Sequence, residues 1–300
     1  MSAEFSSLSP SDDSVVWTGR AASAQQIDST MHIASAAMQQ WSAQPLQERI
    51  DVVARYGEYL SQHADPISDL ITREVGKLTW DARGEVAAAI AKVNLSINAI
   101  RQRRDTQVID QDQHAVGRVI RFRPLGVVLV LGPFNFPLHL PGGQIIPALL
   151  AGNTVVLKPS EQATAVGQWM LQAWQQVGLP DGVLQLITGG AETAIQAIDS
   201  PHVNGIFLTG SRAAGRAISR QLGARTDVLL ALELGGNNPI VVTDVEPAAA
   251  ASVVSFSAFV SAGQRCTCAR RAIFVDSALT ASRSDALVQR SRSLRVGLPH

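Results

Sequence analysis

Val127-Val128-Leu129-Val130-Leu131-Gly132-Pro133-Phe134-Asn135-Phe136-Pro137 and, further on, Thr154-Val155-Val156-Leu157-Lys158-Pro159-Ser160-Glu161 are two apolar runs that stop at glycine or proline. Each is too short for an ordinary helix, and both suit buried strands. The segment between them, 144–150, reads as helix. The pattern repeats downstream: a helix over 162–177 ends at Gly178-Leu179-Pro180, and strands are predicted over 183–187 and 205–208 with a helix after each. This alternation predicts an α/β fold, a doubly wound parallel sheet with helices on both faces.

Upstream the period becomes helical. Ile27, Met31, Ala34, Met38 and Trp41 recur at helical spacing, as do Leu46, Ile50, Val53 and Leu60. A third helix is expected from near Pro66 to Gly76 and a fourth over 79–103, with Val86, Ile90, Val93 and Ile97 on its apolar stripe. Arg101-Gln102-Arg103-Arg104 reads as a solvated helix end that complements the dipole. Residues 106–122 mix polar and β-branched positions and predict a β-hairpin. Residues 1–20, polar and rich in Ser and Asp, predict an extended or frayed lead-in. Residues 276–300 are Ser- and Arg-rich, with a modest helical pattern through Leu287, Leu294 and Val296.

Composition narrows the function classes. A chain of 300 residues, 46% hydrophobic, predicts two domains and a sizeable core; they are placed at 1–230 and 231–300. Twenty-five basic residues balance 25 acidic ones, so no global field draws the protein to nucleic acid or an anionic membrane, and a small-molecule partner is expected. Residues 124–156 contain no Asp, Glu, Lys or Arg, yet the prolines and glycines within them preclude a continuous membrane helix. Two cysteines two positions apart cannot staple a fold of this size, and as Cys-x-Cys they offer too few ligands for a metal. With no basic region followed by an apolar core at the N-terminus, cytoplasm is the expected location.

Chemistry concentrates in three stretches. Ala262-Gly263-Gln264-Arg265-Cys266-Thr267-Cys268-Ala269-Arg270-Arg271 sets both cysteines among small and cationic neighbours, and Arg265, Arg270 and Arg271 would favour a thiolate. Taken alone, the cysteines are better read as small buried hydrophobes. Leu232-Glu233-Leu234-Gly235-Gly236-Asn237-Asn238-Pro239 adds a carboxylate at the edge of a glycine turn. Together they suit a two-stage mechanism, with a covalent adduct on sulfur released by carboxylate-activated water. Phe207-Leu208-Thr209-Gly210-Ser211-Arg212-Ala213-Ala214-Gly215 has the strand-turn-helix form that receives phosphate. Arg212 stands where a Gly-x-Gly-x-x-Gly turn has its second glycine, and a plain turn with a capping serine accounts for the residues equally well.

Over residues 39–274 these stretches resemble the aldehyde dehydrogenase superfamily. Gly263-Gln264-Arg265-Cys266 is similar to its Gly-Gln-x-Cys motif, Leu232-Glu233-Leu234-Gly235-Gly236 to its glutamate motif, and the Gly210 turn to its Gly-Ser-x-x-x-Gly turn. The resemblance implies an aldehyde dehydrogenase-like fold, with a Rossmann-like NAD-binding domain after the N-terminal helices and an incomplete α/β catalytic domain carrying the nucleophile. It implies Cys266 as nucleophile, Glu233 as the base for water, and Asn135 as an oxyanion donor beside the Cys266 backbone N–H. Lys158 and Glu161 would hold the adenosine ribose, and Gly210, Ser211 and Gly215 the pyrophosphate. Read without it, Asn135 is a turn former and Lys158 and Glu161 are a surface pair. The Glu161 carboxylate would repel a 2′-phosphate, which makes NAD, not NADP, the implied cofactor. Cys268 does not align with the nucleophile and is read as structural.

Gly132-Pro133-Phe134-Asn135-Phe136-Pro137 and residues 264–271 are most similar to the branch that oxidises N-succinyl-L-glutamate 5-semialdehyde in arginine catabolism. A carboxylated aldehyde makes Arg265 and Arg271 candidates for carboxylate contact, with a structural ion pair as the alternative. The family's later Glu-x-Phe-Gly-Pro motif, and the C-terminal strand through which its members form homo-oligomers, have no counterpart here; its opening strands are expected to be short or missing. The implied protein is an NAD-dependent aldehyde dehydrogenase shortened at its C-terminus. The competing reading is a non-catalytic remnant that binds dinucleotide or associates with an intact relative.

Overall fold

The computed structural model describes residues 3–109, 118–275 and 278–299. The chain divides into two compact units, Met1–Glu233 and Leu234–His300.

The first unit opens with an antiparallel hairpin, β1 (Glu4–Leu8) and β2 (Val15–Arg20). Of the expected extended or frayed lead-in and short or missing opening strands, the frayed and missing alternatives are corrected: the segment is extended and paired. The hairpin is ordered by contacts with distant residues: the Ser7 hydroxyl donates to the buried Glu74 carboxylate at 2.6 Å, and the Trp17 indole donates to Gln168 at 2.7 Å. Helices α1 (Ala24–Ala43), α2 (Leu46–Gln62), α3 (Ala64–Val75) and α4 (Thr79–Arg103) follow. Gly76 ends α3 at φ +66°, and Pro10 lies 2.6 Å from where a Cβ would stand, so glycine is required twice over. The expected hairpin over 106–122 has its arms, β3 (Gln107–Val108) and β4 (Val119–Ile120), paired antiparallel; its turn lies outside the described residues.

The central sheet consists of β5 (Val127–Leu131), β6 (Thr154–Lys158), β7 (Leu184–Leu186), β8 (Val203–Gly210) and β9 (Leu229–Leu234), in the order β7-β6-β5-β8-β9. Helices α5 (His139–Leu150), α6 (Thr164–Gln176), α7 (Ala191–Ile198) and α8 (Arg212–Gln221) connect them. β5 runs parallel to β6 and β8, and β6 parallel to β7. Every residue of β5 and β6 is buried, as strands covered on both faces must be. Chain order reverses at β5, and in such sheets ligands bind beyond the carboxyl ends of the strands at that reversal. α5 starts a full turn before the expected residue 144: Pro141 falls in its first turn, where the missing N–H has no intrahelical bond to lose. Behind the sheet the Tyr56 and Trp174 rings stack with centroids 3.8 Å apart, and the Trp41 indole donates to the Leu149 carbonyl at 3.1 Å.

The second unit contains β10 (Asn238–Val242), α9 (Pro247–Phe259), β11 (Ala269–Phe274) and α10 (Thr280–Arg292). β10 and β11 pair in parallel, and Val242, Ala250 and Val254 form a small core with Leu287 packed on it. α10 stops at Arg292, so Leu294 and Val296 lie beyond the helix that their spacing suggested, with Val296 99% exposed. Without an apolar partner there, nothing offsets the entropy of a further turn.

Candidate active site

At the carboxyl edge of the first unit's sheet, Leu131 is in register with Lys158 on one side and Leu208 on the other. The chain leaves β5 through Gly132 and reaches Asn135, which is partly buried. The segment after Asn135 is pinned from α4. The Glu85 carboxylate accepts the N–H groups of Leu138 and His139 at 2.9 and 3.0 Å, occupying free donors at the start of α5. Its other oxygen lies 2.5 Å from Lys77 Nζ, which sits 3.4 Å from the centre of the Phe136 ring. Burial pushes the Glu85 carboxyl above the usual carboxylate range, while the Lys77 ammonium and the two backbone N–H groups oppose the shift. Phe136 and Leu138 are thus both held, just beyond Asn135. Lys77 and Glu85 were not evident from the sequence, because charged residues in helices and in the links between them ordinarily read as solvent-facing.

Lys158 ends β6 with its side chain 8% exposed. Its ammonium donates to the carbonyls of Pro159 at 2.8 Å and Gly189 at 2.6 Å and lies 3.9 Å from Glu161. Burial lowers its pKa; the Glu161 charge acts the other way. Two of three ammonium protons are engaged, leaving one for a further acceptor beside an exposed carboxylate. That donor set fits a sugar diol. Beyond β8, Gly210 leads into Ser211, whose hydroxyl caps α8 by accepting the Ala214 N–H at 3.1 Å, and Gly215 is buried within that helix. The Gln144 amide donates to Thr209 at 3.1 Å and ties α5 to the end of β8. Asn135, Lys158, Gly210 and Ser211 therefore share one edge of one sheet, with a helix N-terminus able to receive phosphate. Glu233 is exposed near the end of β9 and is the last residue of the first unit.

In the second unit the residues before the nucleophile motif are bent sharply. Ser261, Ala262 and Gly263 all have positive φ, +55°, +52° and +71°. For serine and alanine this left-handed conformation costs roughly 1–2 kcal/mol each. The following turn exposes Cys266 and buries Cys268, whose Sγ lies 3.6 Å from the Val260 carbonyl. Asn238 clamps this turn: its side-chain amide donates to the carbonyls of Cys266 at 2.6 Å and Cys268 at 3.2 Å. A Cβ at Gly236 would stand 2.9 Å from the Asn238 side-chain oxygen, which accounts for glycine there. The cationic neighbours brace the same backbone. Arg265 donates to the Ser261 hydroxyl at 2.7 Å, Arg270 to the Gly263 carbonyl at 2.9 Å, and Arg271 to the Asn237 carbonyl at 3.2 Å. Asn238 escaped the sequence reading; its signal, an asparagine two residues after a glycine pair, is common to many turns. Among the described residues no three His, Cys, Asp or Glu side chains are grouped to hold a metal, and no helix is long and apolar enough to cross a membrane.

Comparison with known proteins gives the chain its place. A profile of the aldehyde dehydrogenase family matches residues 1–300. The chain is similar to the N-succinylglutamate 5-semialdehyde dehydrogenases of Burkholderia ambifaria (47% identity over 272 residues, 90% of this chain) and Hahella chejuensis (42% over 295 residues, 98% of this chain). It spans 55% and 60% of their respective lengths. Among solved structures it is similar to the NADP-dependent glyceraldehyde-3-phosphate dehydrogenase of Bacillus halodurans complexed with NADP, with a TM-score of 0.91 and 29% identity over 99% of this chain and 63% of that one. Lactaldehyde dehydrogenase gives a TM-score of 0.93 and 28% identity, over 99% of this chain and 62% of that one. The nucleophile and glutamate motifs, the doubly wound sheet and these likenesses agree, and the chain belongs to the aldehyde dehydrogenase family.

Proposed function

We propose that the chain carries the machinery for NAD-dependent oxidation of a carboxylated aldehyde, N-succinyl-L-glutamate 5-semialdehyde, to the corresponding acid. The observation that carries the reading is Cys266: an exposed thiol on a turn held by Asn238, in a chain 47% identical to a relative named for that substrate.

The Cys266 thiolate attacks the aldehyde carbon, forming a carbon–sulfur bond and an alkoxide. The Asn135 amide and the Cys266 backbone N–H donate to that oxyanion, each worth about 3 kcal/mol in the transition state. The nicotinamide dinucleotide, when bound, supplies the hydride acceptor. Lys158 and Glu161 hold its adenosine ribose hydroxyls, and Gly210, Ser211 and Gly215 bring the α8 N-terminus to its pyrophosphate. Glu161 favours NAD by repelling a 2′-phosphate. The acyl group left on sulfur after oxidation is released by water from which Glu233 removes a proton. Cys268, buried, keeps a structural role.

The test is NADH formation by the purified 300-residue chain with NAD and N-succinyl-L-glutamate 5-semialdehyde, against Cys266→Ala. Turnover that vanishes in the variant supports the reading. Folded protein that binds NAD without turnover supports the dinucleotide-binding reading instead.

A further inference from the structure

We propose that Lys92, beside Gly143 of α5, is the cation that holds a carboxylate of the substrate and selects acidic aldehydes over neutral ones. The proposal rests on the reaction given above and adds the group that reads the substrate.

The sequence has only three lysines, Lys77, Lys92 and Lys158. Lys77 is paired with Glu85, and Lys158 is bonded to two carbonyls beside Glu161. Lys92 is partly buried on α4, and among the described residues it has neither a hydrogen bond nor an ion pair. A partly buried ammonium without an internal partner is open to a charge-assisted contact with an incoming anion. Its neighbourhood leaves room for one. A Cβ at Gly143 would stand 3.5 Å from Lys92 Cε and 3.9 Å from Nζ, and a Cβ at Gly142 would meet nothing within 4 Å. A larger side chain at Gly143 would fill the space beside the ammonium.

The same stretch of α5 carries further polar atoms. His139 is one helical turn before Gly143, on the same face of α5. Its Nδ1 is buried without a partner, as is the side-chain oxygen of the adjacent Gln144. Burial first, and then the charges of Lys92 and Lys77, disfavour protonation of His139. Glu85 compensates Lys77, and among the described residues no carboxylate is paired with Lys92. His139 lies four residues beyond Asn135, a span of at most about 14 Å, so a carboxylate held here is within reach of a ligand that also meets the Asn135 loop. The alternative cations, Arg265 and Arg271, are already engaged in bracing the cysteine turn.

Calorimetric titration of N-succinyl-L-glutamate into the full chain, Lys92→Met and Lys92→Arg tests this without requiring turnover. Loss of a charge-assisted contact weakens binding by roughly 10- to 100-fold in Lys92→Met, and Lys92→Arg retains it within about tenfold. Where NADH forms, Lys92→Met raises KM for the semialdehyde by a similar factor and leaves kcat/KM for hexanal within about threefold. Melting curves of both variants should match the parent. Unchanged binding in Lys92→Met, no binding by the parent, or an equal loss with hexanal overturns the proposal. Lys92-dependent binding without NADH formation sustains it while removing the reaction above; Cys266-dependent turnover with Lys92-independent binding does the reverse.

Discussion

The side-chain amide of Asn238 donates to the backbone carbonyl of Cys266 at 2.6 Å, and the same nitrogen reaches the Cys268 carbonyl at 3.2 Å. One residue of β10 thus brackets the turn that presents the thiol. Asn238→Ala removes two bonds worth about 1 kcal/mol each. We expect melting a few degrees lower and at least a tenfold drop in Cys266-dependent NADH formation. Asn238→Asp, which turns acceptor oxygens toward two carbonyls, should fare worse than alanine. Parental turnover in Asn238→Ala would show that the turn holds itself.

The two thiols should behave differently. Native protein treated with iodoacetamide should take up one equivalent, at the exposed Cys266, and a second only after unfolding exposes Cys268. Mass spectrometry of the digested protein reads this directly. Rapid labelling of Cys268 in the native state would contradict its burial.

Ala262 has φ +52° where glycine would be unstrained. Ala262→Gly should stabilise the second unit by roughly 1 kcal/mol, and Ala262→Val should destabilise it by more. Hydrogen exchange of peptides spanning 256–268 would report both. Slower exchange in the valine variant would refute the strain.

Glu85 holds Lys77 and the start of α5 together. Glu85→Gln leaves a buried ammonium without its counter-charge and should cost about 3–5 kcal/mol, part of which the double variant Lys77→Met/Glu85→Gln recovers. All five tryptophans lie in the first unit, so urea unfolding followed by intrinsic fluorescence isolates this loss. A double variant no better than Glu85→Gln would mean that the helix-start bonds, not the ion pair, carry the stability.

His139 sets a pH dependence. Burial first, then the charges of Lys92 and Lys77, hold its pKa below the ordinary 6.5. Between the two values the unfolded chain binds a proton that the folded chain does not, so stability rises with pH there. The contribution is complete above about 6.5 and is lost as pH falls toward the depressed folded value. His139→Gln should flatten this part of the urea midpoint between pH 5 and 7.5. An unchanged slope would assign the dependence to other groups.

The sheet was legible because its central strands are unbroken apolar runs: 127–131 and 154–157 could hardly be anything else once both ends were glycine or proline. Cys266, Glu233 and the Gly210 turn were legible as motifs. What escaped depends on partners far along the chain. The β1–β2 hairpin reads as a polar tail until Glu74 and Gln168 are brought to it. The start of α5 is invisible without Glu85, 53 residues earlier than Leu138. An alanine at positive φ gives no sign in sequence, since alanine ordinarily signals helix.

β5 has a strand on each side and no exposed residue, and the Asn135 loop hangs from its end, fastened on the far side to α4. Fraying at the hairpin or the outer strands can proceed without disturbing that attachment, whereas freeing the loop requires the middle of the sheet to come apart. Damage to the first unit should therefore be all-or-none at this position: a population of molecules contains intact Asn135 loops or unfolded domains, with no appreciable fraction folded but slack there.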